Sequence, residues 1–475
     1  MLSYAEYAKH DALGLAELVR TKKISAQELL ETALARAKAV NPKINAIVID
    51  HEDVARKQLK EGLPQGPFHG VPFLLKDLGA ALKGTVTTGG MTLSREAVAG
   101  EDSTYVERIK ATGMTIFGKT HSPELGATTT SESLLFGQTR NPWDLERIAG
   151  GSSGGAAAAV AAGILPLAHA TDGGGSIRIP AACCGLFGLK PTRARTPSGP
   201  KRGEGWGGMS IGHCVSHSVR DSAALLDATS GPALGDPYYA PPQERPYLDE
   251  LKQAPGRLRI AFSVTPSIPA PVHPDCVAAV RDAGKLLESL GHHVEEATPH
   301  LNGMEIMQAQ GVVISANIAA AIDEAAALHG RAARAEDVER ANWYRVERAR
   351  EIDSSAYAKA MTIVHQAGRT LAGFMEKYDV LLQPTVAQPP LPLGVVHLDR
   401  EDIDGLFRDL IGFVPFTGLY NISGQPSMNV PLFWNASSLP IGTMFTARFG
   451  DEPTLFRLAA QLEQARPWSD KRPNI

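Results

Sequence analysis

Apolar and polar residues near the start of the chain follow a helical repeat. Ser25 and Glu28 stand three positions apart and form a capping box, in which each side chain bonds the backbone of the other residue. The apolar residues that follow recur every three or four positions and predict one buried face of a helix. We expect Asn41-Pro42 to stop this helix, because proline restricts the residue before it to extended conformations.

The rest of the chain alternates between strand-like and helix-like segments. Gly154 to Ala162 is rich in alanine, and its small side chains predict a buried helix. The other predicted elements are helices over 102–113 and 275–290, a strongly helical and charged region over 304–375, and strands over 115–117, 165–170, 257–262, 293–295 and 379–382. This alternation favours an α/β sheet with helices on both faces. Two turn-rich stretches, Thr196 to Gly212 and Gln388 to Leu393, are expected to flank a lid or the wall of a substrate pocket.

Composition places the chain among soluble globular proteins. Of its 475 residues, 43% are hydrophobic and 21% are charged, and the formal net charge is −4. No basic run indicates nucleic-acid binding, and no apolar run reaches the about 20 residues that span a bilayer. The N-terminal residues lack the pattern of a signal peptide. We therefore expect a cytoplasmic protein with neither nucleic acid nor membrane as a partner.

Cysteine and histidine positions predict neither a disulfide framework nor a metal site. The four cysteines are too few for such a framework in a chain of this length, and Cys183 and Cys184 are adjacent. No CxxC or HExxH spacing occurs. The histidines, among them His121, His169 and His213, are scattered and are expected to be structural or on the surface. We expect no metal and no organic cofactor.

Three segments carry the groups that acyl transfer needs. Gly173-Gly174-Gly175 precedes Ser176, and glycine amides can point at a developing oxyanion because no Cβ stands in the way. A second serine, Ser152, lies in another glycine-rich turn. Lys76 follows Phe73-Leu74-Leu75, and burial among such residues lowers a lysine pKa. Taken alone, each segment would be a flexible turn, a helix cap or a solvated lysine paired with Asp77.

Together these segments resemble the amidase signature family. The resemblance rests on Gly150 to Gly155, Asp172 to Arg178 and Lys76, which occur in the right order and at the right spacing. It runs from about residue 10 to about residue 470 and extends to further motifs, namely Gly118-Lys119-Thr120, Pro123-Glu124, Asn141-Pro142-Trp143, Cys184 to Thr192 and Asn421 to Pro426. Residues 140–143 and 416–426 resemble the branch with cyclic nylon-oligomer hydrolases and carbamate-cleaving amidases.

The resemblance implies a fold and a set of roles. The fold would be a single mixed sheet wrapped by helices, in one domain over residues 1–475, with a catalytic core at 70–192 and a more variable substrate wall at 196–430. Ser176 would be the nucleophile, and Ser152, after a cis peptide bond at Gly151, would relay its proton to Lys76. The amides of Gly173, Gly174 and Gly175 would form the oxyanion hole. The supporting residues would be Ser153, Asp172 and Arg178.

The expected activity is hydrolysis of an amide, or of a related carbamate, through an acyl-enzyme. The partner would be a small neutral substrate, and the protein would be a monomer or a homodimer. Selectivity is expected to lie in the segments 127–135, 196–212, 304–375 and 414–420. The predicted substrate-binding residues are Ala127, Thr128, Trp206, Met209 and Phe416.

Three other functions remain open from the sequence alone. Residues 151–155 formally match G-x-S-x-G, which would make Ser153 the nucleophile of a Ser-His-Asp hydrolase. Similar catalytic motifs occur in the subunit of a transamidation complex that acts on aminoacyl-tRNA, where a partner would contact the tRNA. A glycine-rich turn before a helix also suits a non-catalytic anion binder, although no complete phosphate loop is present.

Overall fold

An eight-stranded mixed sheet forms the centre of the computed structural model, which describes residues 2–475. The strands of the protein are β1 (Ile47–Asp50), β2 (Pro72–Lys76), β3 (Thr115–Thr120), β4 (Glu132–Ser133), β5 (Gly137–Gln138), β6 (Arg140–Asn141), β7 (Asp144–Ile148), β8 (Leu167–Asp172), β9 (Phe187–Lys190), β10 (Ile211–Ser216), β11 (Arg259–Phe262), β12 (His293–Glu296), β13 (Val380–Pro384), β14 (Ser427–Trp434) and β15 (Pro440–Ala447). The central sheet has the order β12-β11-β13-β15-β14-β9-β10-β8. β11 pairs in parallel with β12 and β13, and the other pairs are antiparallel.

Helices cover both faces of this sheet, as the alternation of elements predicted. They are α1 (Tyr4–Tyr7), α2 (Ala12–Arg20), α3 (Ala26–Ile44), α4 (Glu52–Glu61), α5 (Thr104–Ala111), α6 (Gly154–Ala161), α7 (Arg178–Cys184), α8 (Val219–Thr229), α9 (Tyr247–Glu250), α10 (Pro274–Ser289), α11 (Gly303–Ala327), α12 (Arg340–Arg350), α13 (Ser354–Met375), α14 (Ile403–Phe413), α15 (Gly418–Ser423) and α16 (Glu452–Ala465). On β9, Phe187 and Leu189 pack in a core cluster with α8, α10 and α16. Gly188 between them faces Ala181 of α7, because neighbouring residues of a strand point to opposite faces.

The strand that carries Lys76 belongs to a separate sheet. β1, β3 and β2 form a three-stranded sheet in that order, so the expectation of a single sheet is corrected. β2 lies beside β8 of the central sheet without a backbone ladder between them. Instead, the backbone amide of Lys76 donates to Nδ1 of His169 on β8 at 3.1 Å. A side chain thus occupies the place of a ladder bond at the junction of the two sheets.

Most predicted elements are present, with some shifted boundaries. Ser25 and Glu28 form the capping box at the start of α3. α3 continues through Pro42 to Ile44, so the predicted end is wrong. The Asn41 side chain accounts for the later end, because its Oδ1 accepts the amides of Ala46 and Ile47 beyond the helix, each at 2.8 Å. β8 begins and ends later than the strand predicted over 165–170.

The region 304–375, predicted to be strongly helical, contains three α-helices, α11, α12 and α13. α11 ends before Gly330, whose φ of 70° is left-handed, and α13 starts anew after Asp353, whose side chain accepts the Ala356 amide. α11 is long and apolar enough to cross a membrane by length and composition, and it is the one such helix in residues 2–475. Its residues divide between core clusters with α12 and α13 and a cavity described below. This packing accounts for its apolar character.

Candidate active site

Lys76 ends β2 with its side chain fully buried. Its Nζ lies 2.6 Å from Ser152 Oγ and 2.9 Å from Thr171 Oγ1. Burial lowers the pKa of the Lys76 amine to about 7, and the negative charge of Asp172 opposes this shift. Near neutral pH a large fraction of the amine is therefore uncharged and able to accept a proton from Ser152.

Ser152 lies in the turn that leads into α6. The peptide bond between Gly151 and Ser152 is cis, as the resemblance implied. Ser131 holds this turn, because its hydroxyl donates to the Ser152 carbonyl at 3.2 Å and accepts the Gly154 amide at 2.9 Å. Nothing in the sequence pattern had singled out Ser131.

Ser153 has a different position from its neighbour. It is fully buried and makes no side-chain cap on α6, so the alternative that it caps the helix is wrong. Its Oγ donates to the Thr171 carbonyl at 3.2 Å and accepts the Thr171 amide at 3.3 Å. Ser153 thus ties the Ser152 turn to β8, and its hydroxyl has no access to a substrate.

The turn that carries Ser176 is held by a buried ion pair. Asp172 accepts the amides of Gly175 at 2.7 Å and Ile177 at 3.1 Å. Arg178 donates to both oxygens of the same carboxylate, each at 3.0 Å. Burial would raise the pKa of Asp172, but Arg178 holds it well below its usual range. Asp172 and Arg178 therefore support this turn through charge-assisted hydrogen bonds.

Asn421 of α15 completes this support. Its Nδ2 donates to Asp172 Oδ1 at 2.8 Å, and its Oδ1 accepts from Arg178 Nη2 at 2.7 Å. The hydroxyl of Thr417, just before α15, donates to the Gly174 carbonyl at 2.7 Å. Asn421 opens one of the motifs noted in the sequence, but its role could not be predicted, because a contact across more than two hundred residues leaves no local signal.

One of the three predicted oxyanion donors is corrected. The Gly175 amide already donates to Asp172 and points away from any substrate. Position 175 requires glycine for a different reason: its φ is 131°, and a Cβ there would lie 2.4 Å from Thr417 Oγ1. Within residues 2–475, the amides of Gly173, Gly174 and Ser176 donate to no other group. These three amides are the ones free to hold an oxyanion.

Ser176 and Ser152 line one cavity of about 340 Å³. Ser176 is half-buried, and its hydroxyl makes no hydrogen bond to another residue of the described range 2–475. Apolar walls come from Leu78, Leu125 and Trp206, and from Ile318 on α11. The cavity therefore lies between the glycine-rich turns, the segment before β10 and one face of α11.

Trp206 is the one predicted substrate-binding residue that lines this cavity. Ala127 and Thr128 lie beyond its wall, where Arg345 binds the Ala127 carbonyl at 3.1 Å and Thr128 binds the Val396 carbonyl at 2.7 Å. Met209 and Phe416 are buried in a core cluster. These four predictions are corrected: none of the four residues lines the cavity, because Met209 and Phe416 pack in the core and Ala127 and Thr128 make structural hydrogen bonds.

Two of the predicted selectivity segments do reach the cavity. Nine residues between Pro197 and Gly212 line it, and so do five residues of α11 between Asn317 and Glu324. The segments 127–135 and 414–420 contribute none, and neither does the turn-rich stretch Gln388 to Leu393. In that stretch the Leu391 carbonyl accepts the Ile148 amide at 2.9 Å, so it braces β7 instead.

Charged side chains also line the cavity. Arg202 and Glu324 form an ion pair of 2.7 Å between the segment before β10 and α11. Both side chains are more than half exposed, at 61% and 69%, so they lie at the mouth and not at the inner end. Glu204 lines the cavity as well. The mouth is thus charged, whereas the buried part of the lining combines apolar side chains with uncharged polar ones such as Ser152 and His169.

The four cysteines and the histidines His121, His169 and His213 are buried. All four cysteines are buried and free. Burial lowers the pKa of His121, His169 and His213 to about 3, which keeps each ring neutral. Within residues 2–475, no group of three or more His, Cys, Asp or Glu could hold a metal ion.

The fold and this arrangement of a buried lysine and two serines define an amidase. A sequence model of the amidase family matches residues 28–456, and the chain belongs to the amidase signature family.

Similar proteins agree with this assignment. The chain is 38% identical to a 6-aminohexanoate-cyclic-dimer hydrolase of Paenarthrobacter ureafaciens, over 98% of this chain and 96% of that one. A solved structure of a 6-aminohexanoate cyclic dimer hydrolase with its substrate superposes with a TM-score of 0.93 at 37% identity, over 98% of this chain and 99% of that one. A bacterial aryl acylamidase of the same family gives 0.88 at 29% identity, over 97% of each chain.

Proposed function

We propose that this amidase hydrolyses small neutral amides, and related carbamates, through an acyl-enzyme on Ser176. The observation that carries the proposal is the buried contact of 2.6 Å between Lys76 Nζ and Ser152 Oγ, in the same cavity as Ser176. A lysine in this setting can be a base without any histidine. Ser153, the nucleophile of the rival hydrolase reading, is fully buried and bonded to Thr171.

The proposed reaction begins with two proton transfers. Neutral Lys76 takes the proton of Ser152, and Ser152 takes that of Ser176. Ser176 Oγ then forms a bond to the substrate carbonyl carbon, and the free amides of Gly173, Gly174 and Ser176 stabilise the oxyanion.

The tetrahedral intermediate then breaks down. The proton returns through Ser152 to the leaving amine as the C–N bond breaks. Water then takes the place of the amine and attacks the resulting ester, and the same groups transfer its proton to Ser176. This step releases the acid and restores Ser176.

The shape of the cavity supports neutral substrates. The charged side chains that line it, Arg202, Glu204 and Glu324, are all exposed, and burying a substrate charge further in without a partner would cost several kcal/mol or more. Anilides, small aliphatic amides and nylon-type oligomers suit such a cavity, and the named activities of the relatives point the same way. A carbamate has the same carbonyl geometry with one more oxygen, so the same machinery can cleave it. Carbamate cleavage, a cytoplasmic location and a monomeric or homodimeric state stay predictions.

A substrate panel with two variants tests the proposal. Purified protein is assayed on neutral anilides, a cyclic amide dimer, aryl carbamates and glutamine. Ser176→Ala should abolish turnover of every substrate while the circular dichroism and the Tm stay close to wild type. Ser153→Ala should keep measurable turnover, since its role is structural. Wild-type turnover by Ser176→Ala would exclude the proposed nucleophile, and a strong preference for glutamine would favour a transamidation subunit instead.

A further inference from the structure

His169 lies on β8 two positions before Thr171, and both residues line the cavity that holds Ser176. They share a face because alternate residues of a strand point the same way. The His169 side chain is almost fully buried, at 1% exposed. Its Nδ1 accepts the Lys76 amide at 3.1 Å, and its ring packs on Tyr105 with centroids 5.2 Å apart. The imidazole is therefore fixed in place.

The bond from Lys76 also fixes the tautomer of this ring. A nitrogen that accepts a backbone N–H carries no proton, so in the neutral imidazole the proton lies on Nε2. Burial lowers the pKa of His169 to about 3, so the ring stays neutral in ordinary buffers. Within residues 2–475, Nε2 makes no hydrogen bond. His169 thus holds a neutral donor that has no partner in the protein.

Gly212 on the neighbouring strand leaves this donor uncovered. Gly212 pairs with Thr171 in the β10–β8 ladder and also lines the cavity. A Cβ at position 212 would have His169 Nε2 as its nearest contact, at 3.6 Å. Because glycine has no side chain, the surface of Nε2 beside it stays open to the cavity.

We propose that Nε2 of His169 donates a hydrogen bond to a neutral acceptor of the substrate that is separate from the scissile carbonyl. The enzyme would then prefer amides with a second amide, ester or carbamate carbonyl over otherwise identical amides without one. The physical reason is that a bound substrate takes the place of solvent at Nε2, so a substrate without an acceptor there leaves the donor unpaired at a cost in free energy, and a substrate that pairs it avoids this cost. The inference rests on the proposed amide hydrolysis and names the class of substrate that this site selects.

Matched probes measure the preference directly. One probe is hexanoyl p-nitroanilide, and the other has an acyl chain of the same length that ends in a neutral N-methylamide. A second pair places the extra amide on the leaving amine instead. For wild type we expect kcat/KM to be about tenfold higher for the probe with the second carbonyl in at least one pair. This ratio corresponds to the net contribution of one hydrogen bond.

Two variants separate the donor from the structural role of the ring. His169→Asn keeps an acceptor for the Lys76 amide, because Oδ1 of asparagine stands where Nδ1 stood, but it has no donor at the Nε2 position. Gly212→Ala keeps the histidine and covers Nε2 with a methyl group. Both variants should lose the tenfold preference, mainly through a higher KM for the two-carbonyl probe, while hexanoyl p-nitroanilide is still cleaved.

His213→Gln is the matched control. His213 is equally buried, but its Nε2 is bonded to Ser222 Oγ at 2.8 Å and it does not line the cavity. It should keep the preference of wild type. If wild type cleaves all four probes without preference, or if His169→Asn and Gly212→Ala retain it, the role of His169 is wrong while amide hydrolysis stands. If wild type cleaves none of them, both proposals are wrong.

Discussion

Replacing Thr171 by valine should move the pH dependence of the enzyme toward acid. Thr171 Oγ1 accepts a hydrogen bond from Lys76 Nζ at 2.9 Å, and this bond stabilises the ammonium form more than the neutral amine. Valine has nearly the same shape but no oxygen, so the variant should make Lys76 easier to deprotonate. The rising limb of the wild-type pH–rate profile reflects the pKa of Lys76, which burial lowers to about 7. Activity should therefore rise with pH through neutrality in wild type, and earlier in Thr171→Val.

The size of the shift follows from the difference between two hydrogen bonds. A bond to a charged donor contributes about 1 kcal/mol more than the same bond to a neutral one. One pKa unit corresponds to about 1.4 kcal/mol, so the limb should move by about 0.7 pH unit. Thr171→Ser keeps the hydroxyl and should leave the limb in place, although it loses a methyl contact.

The assay is kcat/KM for a neutral anilide across the pH range, because this ratio reports the pKa values of the free enzyme. The anilide does not titrate there, so the limb belongs to the protein. Lys76→Ala should remove the limb and lower the rate by several orders of magnitude. A limb that stays in place or moves to higher pH in Thr171→Val would refute the assignment of Lys76 as the base.

Three further predictions follow from the same site. Arg178→Met leaves the buried Asp172 carboxylate without its partner and should destabilise the fold by about 3–5 kcal/mol, so an unchanged Tm would contradict the role of the ion pair. Gly126→Ala should lower kcat at least about tenfold, because φ is 67° and the added Cβ would lie 2.7 Å from Leu78 and 3.1 Å from Ser152 Oγ; full activity would show that this wall can move. Dialysis against a strong chelator should leave activity unchanged, and a loss restored by zinc would contradict the metal-free mechanism.

The catalytic groups could be predicted because each stands in a local setting that its chemistry requires. Ser176 follows a run of glycines, and Lys76 follows a run of apolar residues that predicts burial of its side chain. The sequence did not reveal that these groups meet across two sheets, or that Gly175 serves the turn while its neighbours stay free for an oxyanion. The arrangement of this turn depends on contacts with Thr417 and Asn421, which are far away in the chain.

The substrate wall was harder to predict for a physical reason. Buried core and an apolar pocket use the same side chains, so Met209 and Phe416 gave the same signal as a residue that lines the cavity. α11 contains residues of both kinds: some of its apolar residues pack in the core, and others face the cavity. The hydrophobic pattern identifies residues that avoid water, and only the tertiary structure shows which of them lie in the core and which line the cavity.

The buried ion pair of Asp172 and Arg178 also bears on the base. Asp172 is the charge that raises the pKa of Lys76 against the effect of burial. An unpaired carboxylate at short range in a poorly solvated site would attract the ammonium strongly and keep Lys76 protonated. Arg178 binds both oxygens of that carboxylate, and its positive charge opposes the attraction of Asp172 for an ammonium nearby. The same guanidinium that orders the nucleophile turn therefore helps to keep Lys76 neutral enough to accept the proton of Ser152.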